Sequence, residues 1–185
     1  ITGGAGFIGS NFVRFAAAAH PEDELVVLDK LTYAGNRDNI ADLIKAKKVR
    51  FIKGDIAESS SVHRLCAREH FTTIVNFAAE THVDRSIIEP HVFVHTNIVG
   101  THNLLNACRE FNVPRYHQIS TDEVYGDLGD NTSDYFTEQT PLAPNCPYAA
   151  SKAASDLLVQ SYFETYGLHT TISRCSNNYG PYQFP

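Results

Sequence analysis

No stretch of the chain approaches the ~20 consecutive apolar residues of a bilayer span, so no membrane-crossing helix is expected in it. Lys and Arg form no run, and the net charge is -6. Nucleic acid would meet a repulsive average field, and none is expected as a partner. Cysteine is scarce: Cys66, Cys108, Cys146 and Cys175 stand apart, without the spacing of a metal site. They read as reduced, mostly buried thiols of a cytoplasmic protein, with no metal bound. There is no secretory leader pattern, repeat or low-complexity tract. Methionine is missing altogether, the initiator included, and Ile1 falls inside what should be a strand. The sequence therefore reads as part of a longer chain, with its first strand cut short.

What is present describes an ordinary folded domain. The 185 residues are 43% hydrophobic and 19% charged, enough for one domain with a full core. Short apolar runs alternate with helical segments. Strands are expected at Ile1-Thr2, Leu25 to Asp29, Val49 to Ile52, Thr73 to Phe77, Tyr116 to Ser120 and Thr170 to Ser173. Helices are expected from Phe7 to Ala19, Asp38 to Lys45, Ser59 to Arg68, Val92 to Phe111 and Tyr148 to Tyr166. Such alternation argues for an α/β fold of the Rossmann type, a doubly wound parallel sheet with helices on both faces. Ligands then bind beyond the carboxyl ends of the strands. The acidic, Pro-containing stretch from Gly126 to Asn145 reads as a loop near the site mouth.

The opening residues carry a phosphate cradle. Gly3, Gly6 and Gly9 fit G-x-x-G-x-x-G, and Gly4, Gly6 and Gly9 equally fit G-x-G-x-x-G, so spacing leaves the register open. In both, a side chain at the turn would keep a pyrophosphate from the backbone N–H groups, and the helix start favours the anion. Asp29 ends the second strand, where it can accept from the adenosine ribose and repel an additional phosphate. This favours NAD over NADP. Asp55, closing the third strand, suits the adenine edge or simply caps a turn.

Tyr148 and Lys152 stand four apart on one helix face. A lysine beside the phenol, with an oxidised nicotinamide, is expected to lower the phenol pKa so that it can take a hydroxyl proton. Thr121, at the end of the preceding strand, is expected to hydrogen-bond the reacting hydroxyl. Asp122 and Glu123 follow it directly. Once a sugar C4 is a ketone, the C5 proton is acidic. One carboxylate can remove it while a protonated carboxyl serves the departing C6 hydroxyl.

Four further segments carry a resemblance: Asp29 to Asn36 (DKLTYAGN), Ala78 to Ser86 (AAETHVDRS), Ser120 to Gly126 (STDEVYG) and Arg174 to Gln183 (RCSNNYGPYQ). With Tyr148 and Lys152, they make the chain similar, over its whole length, to the nucleotide-sugar branch of the extended short-chain dehydrogenase/reductases. Within that branch the chain resembles the dTDP-D-glucose 4,6-dehydratases. The resemblance implies dehydration of dTDP-glucose to dTDP-4-keto-6-deoxyglucose, toward rhamnose and other deoxysugars, with NAD regenerated. It implies Tyr148 as the base at C4, helped by Thr121 and Lys152, Asp122 as the acid at C6 and Glu123 as the base at C5. Ser86 and Asn177, with Thr121, Asp122, Glu123 and Tyr148, would contact substrate. Gly3, Gly6, Phe7, Ile8, Gly9, Asp29, Lys30, Thr32, Asp55, Ile56, Ala79, Thr96, Tyr148 and Lys152 would contact the cofactor. His82 is expected to be a hydrogen-bonded spacer.

Residues 1–185 are thus expected to form the NAD-binding domain, with the nucleotide-sugar-binding region beyond them. The resemblance also implies a homodimer through the helices Val92 to Phe111 and Tyr148 to Tyr166. By helical spacing Leu157, Tyr162 and Phe163 can bury against a partner or equally pack on their own sheet, and the sequence leaves both open. Two alternatives remain. A UDP-sugar epimerase or decarboxylase of the same branch would share the cradle and the Tyr/Lys pair without needing Asp122 and Glu123. A non-catalytic NAD-binding module would need no catalytic group.

Overall fold

A computed structural model describes residues 1–129 and 135–183. Its strands are β1 (Leu25–Asp29), β2 (Val49–Lys53), β3 (Thr73–Asn76), β4 (Arg115–Thr121) and β5 (His169–Cys175). All pairings are parallel: β1 with β2, β3 with β4, and β4 with β5. Thr2 bridges in parallel to both Leu28 and Asn76 and so joins the two halves. The order across the sheet is therefore β2, β1, the Thr2 segment, β3, β4, β5. The crossover beside Thr2 is the switch point that the alternating pattern called for.

Helices cover both faces because both faces of the strands are apolar. Val27 packs with Val13, Ile40 and Val49 on one side of the sheet. Its neighbour Leu28 packs on the other side with Ile56, Val62, Ile74 and Leu104. Successive strand side chains point to opposite faces, and each such burial is worth about 1.5–3 kcal/mol. The first face is closed by α1 (Phe7–Ala19) and α2 (Ala41–Lys45), with a 3-10 turn at Arg37–Ile40 in place of the expected start of that helix. The second face is closed by α3 (Ser59–Arg68) and by two later helices.

A polar ladder lies within the sheet. The Thr2 hydroxyl donates to Asn76 Oδ1 at 2.5 Å, Asn76 Nδ2 donates to Gln118 Oε1 at 3.0 Å, and the Tyr116 phenol donates to the same oxygen at 2.6 Å. These groups are buried, so each needs a partner from the protein.

Nothing in the sequence pointed to α4 (Val83–Ile88), whose six residues are too few for periodicity to show. The single helix expected from Val92 to Phe111 is instead α5 (Pro90–Phe93), a π-helical stretch (Val94–Val99) and α6 (Gly100–Glu110). The wider turn presents Asn97. Its carbonyl accepts from Ser155 Oγ at 2.7 Å, and its amide exchanges hydrogen bonds with the Glu80 backbone at 2.8 and 3.0 Å. Insertions of this kind cluster at functional sites.

The longest helix, α7 (Pro147–Tyr166), has plain start and stop signals. Cys146 Sγ accepts from Ala149 N at 3.4 Å, Pro147 occupies the first turn, and Gly167 ends it in the left-handed conformation at φ 69°. Of the three residues left open between a partner and the chain's own sheet, Leu157 and Phe163 are half exposed. Tyr162 is not: it joins the core, and its phenol donates to Asn106 Oδ1 at 2.6 Å. A tyrosine can bury its ring where a neighbour accepts from its hydroxyl, which helical spacing does not show.

The four cysteines are free. Cys66 and Cys108 are buried, and burial pushes their thiols up to about 11 and about 12. Cys146 and Cys175 are partly exposed, so the expectation of mostly buried thiols holds for two of the four. Among the described residues, no helix is long and apolar enough to cross a membrane, and no cluster could hold a metal ion. The stretch expected as a loop is irregular wherever described; residues 130–134 lie outside the described residues. Phe136 stacks on Tyr125 at 5.1 Å, and Ala143 N donates to Val124 O at 3.0 Å. The described part packs against the turn after β4 and does not line the cleft.

Candidate active site

Beyond the carboxyl ends of the strands lies a cleft of about 370 Å³, within the usual range for a small-molecule site. Its floor at one end is the turn between the Thr2 segment and α1. Gly3, Gly6 and Gly9 line it, whereas Gly4 is turned into the core, where a Cβ would meet Val27 and Val13. The structure therefore selects the G-x-x-G-x-x-G register. Gly3 has φ 65°, and a Cβ there would sit 2.6 Å from Ala78 N. At Gly9 a Cβ would collide with the Gly3 carbonyl. Gly3→Ala is expected to weaken dinucleotide binding about tenfold or more, since the left-handed conformation alone costs an L residue ~1–2 kcal/mol. Calorimetric titration with the dinucleotide would check this; unchanged affinity would mean the turn tolerates a shift.

At the adenosine end, Asp29 ends β1 and lines the cleft while largely buried. Its two oxygens accept from Ala5 N at 2.9 Å and Leu31 N at 2.8 Å. A carboxylate has roughly four acceptor positions, so capacity remains for a ribose. The carboxylate also fixes the glycine turn against β1, a structural task the sequence did not reveal. Asp55 Oδ1 accepts from Ala57 N at 2.9 Å, and its Oδ2 pairs with Lys30 Nζ at 2.7 Å. Both readings of Asp55 thus meet in one residue, a turn cap that also lines the cleft.

Phe7, Ile8, Thr32, Ile56, Ala79 and Thr96 line the same cleft. All the residues singled out for the cofactor are therefore brought together, although they come from well-separated segments. Thr81 and Glu80, which the sequence did not mark, line it as well. Glu80 is held there by Asn97, and Arg85 Nη1 lies 3.2 Å from its Oε2. Burial nevertheless pushes the Glu80 carboxyl up, with Arg85 pulling the other way. Only the π-helical insertion creates this clamp, so no local signal could have found it.

At the opposite end, Thr121, Glu123, Tyr148, Lys152 and Asn177 converge. β4 delivers Thr121, the 3-10 turn Asp122–Tyr125 delivers Glu123, and the first turns of α7 deliver Tyr148 and Lys152. Burial pushes the Glu123 carboxyl up, and the neighbouring Asp122 adds to it. Burial and then the Glu123 charge push the Tyr148 phenol up to about 12, against the pull of a hydrogen bond with Thr121. The expected lowering of that phenol by Lys152 is therefore not found. The lysine instead donates to Ile119 O at 2.6 Å, and burial pushes it down to about 8.

Asp122 and Ser86 do not line the cleft. Asp122 Oδ1 accepts from the Thr121 hydroxyl at 3.3 Å. Ser86 is fully buried on α4, its hydroxyl donating to Val83 O at 2.6 Å. His82 also lies outside the lining, its ring 6.0 Å from that of Tyr33.

The site rests on a buried network. Asp156, one turn beyond Lys152, is wholly buried. Its Oδ2 accepts from Ser120 Oγ and Arg174 Nε, each at 2.9 Å. Arg174 reaches on to the Tyr125 hydroxyl at 2.7 Å. α7, β4, β5 and the turn carrying Asp122 and Glu123 are thereby tied at one point.

The profile of the family described as GDP-mannose 4,6 dehydratase matches residues 1–185. The dTDP-glucose 4,6-dehydratase of Mycobacterium tuberculosis (strain CDC 1551 / Oshkosh) is 51% identical over 183 residues, 99% of this chain and 54% of that protein. A crystal structure of DesIV, a dTDP-glucose 4,6-dehydratase from Streptomyces venezuelae with NAD bound, superposes with a TM-score of 0.92 at 51% identity. It matches 100% of this chain and 57% of its own. The UDP-glucose 4-epimerase of Thermus thermophilus, also with NAD, gives a TM-score of 0.90 at 35% identity, over 100% of this chain and 56% of its own. The chain thus spans about half the length of the relatives it matches.

Proposed function

Since the chain belongs to the GDP-mannose 4,6 dehydratase family, we propose that it is the NAD-binding half of a dTDP-glucose 4,6-dehydratase. The observation that carries this is the pair Asp122-Glu123 on the turn leaving β4, with Glu123 lining the cleft beside Tyr148. Oxidation at C4 alone, as in an epimerase, needs one base. A second base next to it has work to do only if a further proton is removed.

The cleft fits a nicotinamide dinucleotide. Its glycine turn leaves no room for a Cβ at Gly3 or Gly9, which suits close approach of a pyrophosphate. The Asp29 charge suits a ribose and opposes an extra phosphate, favouring NAD over NADP. When bound, the oxidised dinucleotide supplies a hydride acceptor and a positive charge. The phenol needs that charge, because Lys152 alone leaves it at about 12.

Tyr148 then takes the proton of the C4 hydroxyl, with Thr121 and Lys152 holding it in place. Glu123 removes the C5 proton once C4 is a ketone. Its raised carboxyl makes it a stronger base than an ordinary glutamate. Asp122 donates to the departing C6 hydroxyl, and Asn177 contacts the sugar. Ser86 reaches substrate only if α4 shifts. The sugar and its thymidine carrier are taken from relatives at half identity. The exposed Leu157 and Phe163 of α7 offer a contact for a second copy, making a homodimer. Free thiols accord with work in the cytoplasm.

The test is a mass spectrum of dTDP-glucose after incubation with the whole protein and no added reductant. Loss of one water without net reduction of NAD is the expected result. An unchanged mass would turn the assignment toward epimerisation, to be tried next with UDP-sugars.

A further inference from the structure

The segment that leaves β5 at the edge of the sheet comes to rest on α1. Between β5 and the Thr2 segment, from which α1 springs, stand β4 and β3. Residues 176–183 therefore cross the carboxyl ends of two strands, where the cleft lies. Ser176, Asn177, Asn178 and Gln183 line that cleft together with the glycine turn. The middle of the segment does not line it and is seated on the helix instead. Gly180, Pro181 and Tyr182 meet Phe7, Asn11 and Arg14 in turn. A Cβ at Gly180 would lie 3.9 Å from the Phe7 ring, and Asn11 Nδ2 donates to Pro181 O at 2.8 Å. The Arg14 guanidinium lies 4.9 Å from the centre of the Tyr182 ring. Phe7, Asn11 and Arg14 follow the spacing i, i+4, i+7, so they form one stripe along α1. Three consecutive residues thus match one helix stripe in register.

Arg14 is held in place from its other side. It donates to Asp42 Oδ2 at 2.9 Å and twice to Asn39 O, at 3.1 and 2.7 Å. Asn39 Nδ2 in turn donates to Ala5 O, in the glycine turn, at 3.0 Å. The guanidinium plane is thereby fixed relative to the cradle and offers its face to the Tyr182 ring. The segment has little else to hold it. Residues 176–183 are exposed throughout. Among the described residues, the Asn11 bond is the one hydrogen bond that joins residues 177–183 to the rest of the protein. A stretch with so few buried contacts opens ahead of the core.

We propose that Asn11 and Arg14 latch this segment across the cleft and so set how fast the dinucleotide enters and leaves. The latch presupposes the dinucleotide reading of the cleft. Neither residue lines the cleft, so both act through the segment, as positioning residues. The proposed cycle returns its hydride, so the dinucleotide has no need to leave between turnovers, and a closed segment suits that. Loosening the latch raises the open fraction whether the cleft is filled or empty. Entry and release then quicken together, while the affinity, which is their ratio, holds.

The experiment loads the whole protein with radiolabelled NAD and chases it with unlabelled NAD to time release. Rapid mixing of the emptied protein with the label times entry. Asn11→Ala and Tyr182→Ala should each speed both rates about threefold, and the double variant about tenfold, with affinity within about twofold of wild type. Tyr182→Phe keeps a ring over the guanidinium and should behave as wild type. Double-variant rates within about twofold of wild type would overturn the latch. So would faster release with unchanged entry, since affinity would then fall in proportion and the residues would be acting on the bound cofactor or its cradle. Tyr182 is 41% exposed, so Tyr182→Ala alone decides should the double variant fail to fold. A wild type that takes up no labelled NAD would remove the dinucleotide reading itself, which separates the two failures.

Discussion

Replacing Asp156 with alanine is expected to cost the fold about 3–5 kcal/mol, the range for breaking a buried charge pair from one side. The carboxylate is wholly buried and the Arg174 side chain is 15% exposed, with N···O at 2.9 Å. Without it, the Arg174 guanidinium keeps its charge in a partly buried site with its carboxylate gone, and the Ser120 hydroxyl loses its acceptor. The pair is not ideal to begin with. Asp156 Oδ1 has no hydrogen-bond partner among the described residues, and burial pushes the carboxyl up despite Arg174 and Ser120. The loss expected is therefore mainly the penalty of leaving the partner alone. Asp156→Asn keeps the shape and one acceptor, and should cost less. Denaturant unfolding of the whole protein reads both. A loss below about 1 kcal/mol for Asp156→Ala would place the pair with ordinary surface bridges.

Tyr148→Phe is expected to lower kcat about 10²–10⁴-fold while dinucleotide affinity changes little. The ring stays in place, since it packs edge-on against Phe93 at 6.3 Å, and only the hydroxyl is lost. The pH profile gives a second reading. A base with a raised pKa is mostly protonated at neutrality, so the rate should climb with pH. The charge of Glu123 helps hold that pKa up, so Glu123→Gln should move the phenol's inflection toward lower pH, where a dehydration-independent step such as C4 oxidation is followed. Steady-state kinetics and binding calorimetry check the first statement. An inflection that stays put in Glu123→Gln would show that burial alone sets the phenol.

Much of this was legible in the chain because it is local or periodic. Apolar runs such as Leu25 to Leu28 specify buried strands, and their alternation with helices leaves few topologies. The glycine spacing, the Tyr148/Lys152 pair and the adjacent Asp122 and Glu123 are short-range patterns, so they too could be read off directly. By itself the sequence thus determined the parallel sheet, the cradle and the residue types of the site.

Only the tertiary structure decided between Gly3 and Gly4, because the choice depends on which of them faces Val27 and Val13 across the sheet. It alone buried Tyr162, set Ser86 away from the cleft and turned Lys152 toward Ile119 O. It also built the Asn97 clamp and the Asp156–Arg174 tie, whose members lie 17 and 18 residues apart. The physical reason is common to all of these. The energies of burial and of hydrogen bonds between distant segments depend on which groups meet in space, and a side chain's spacing along the chain does not contain that information.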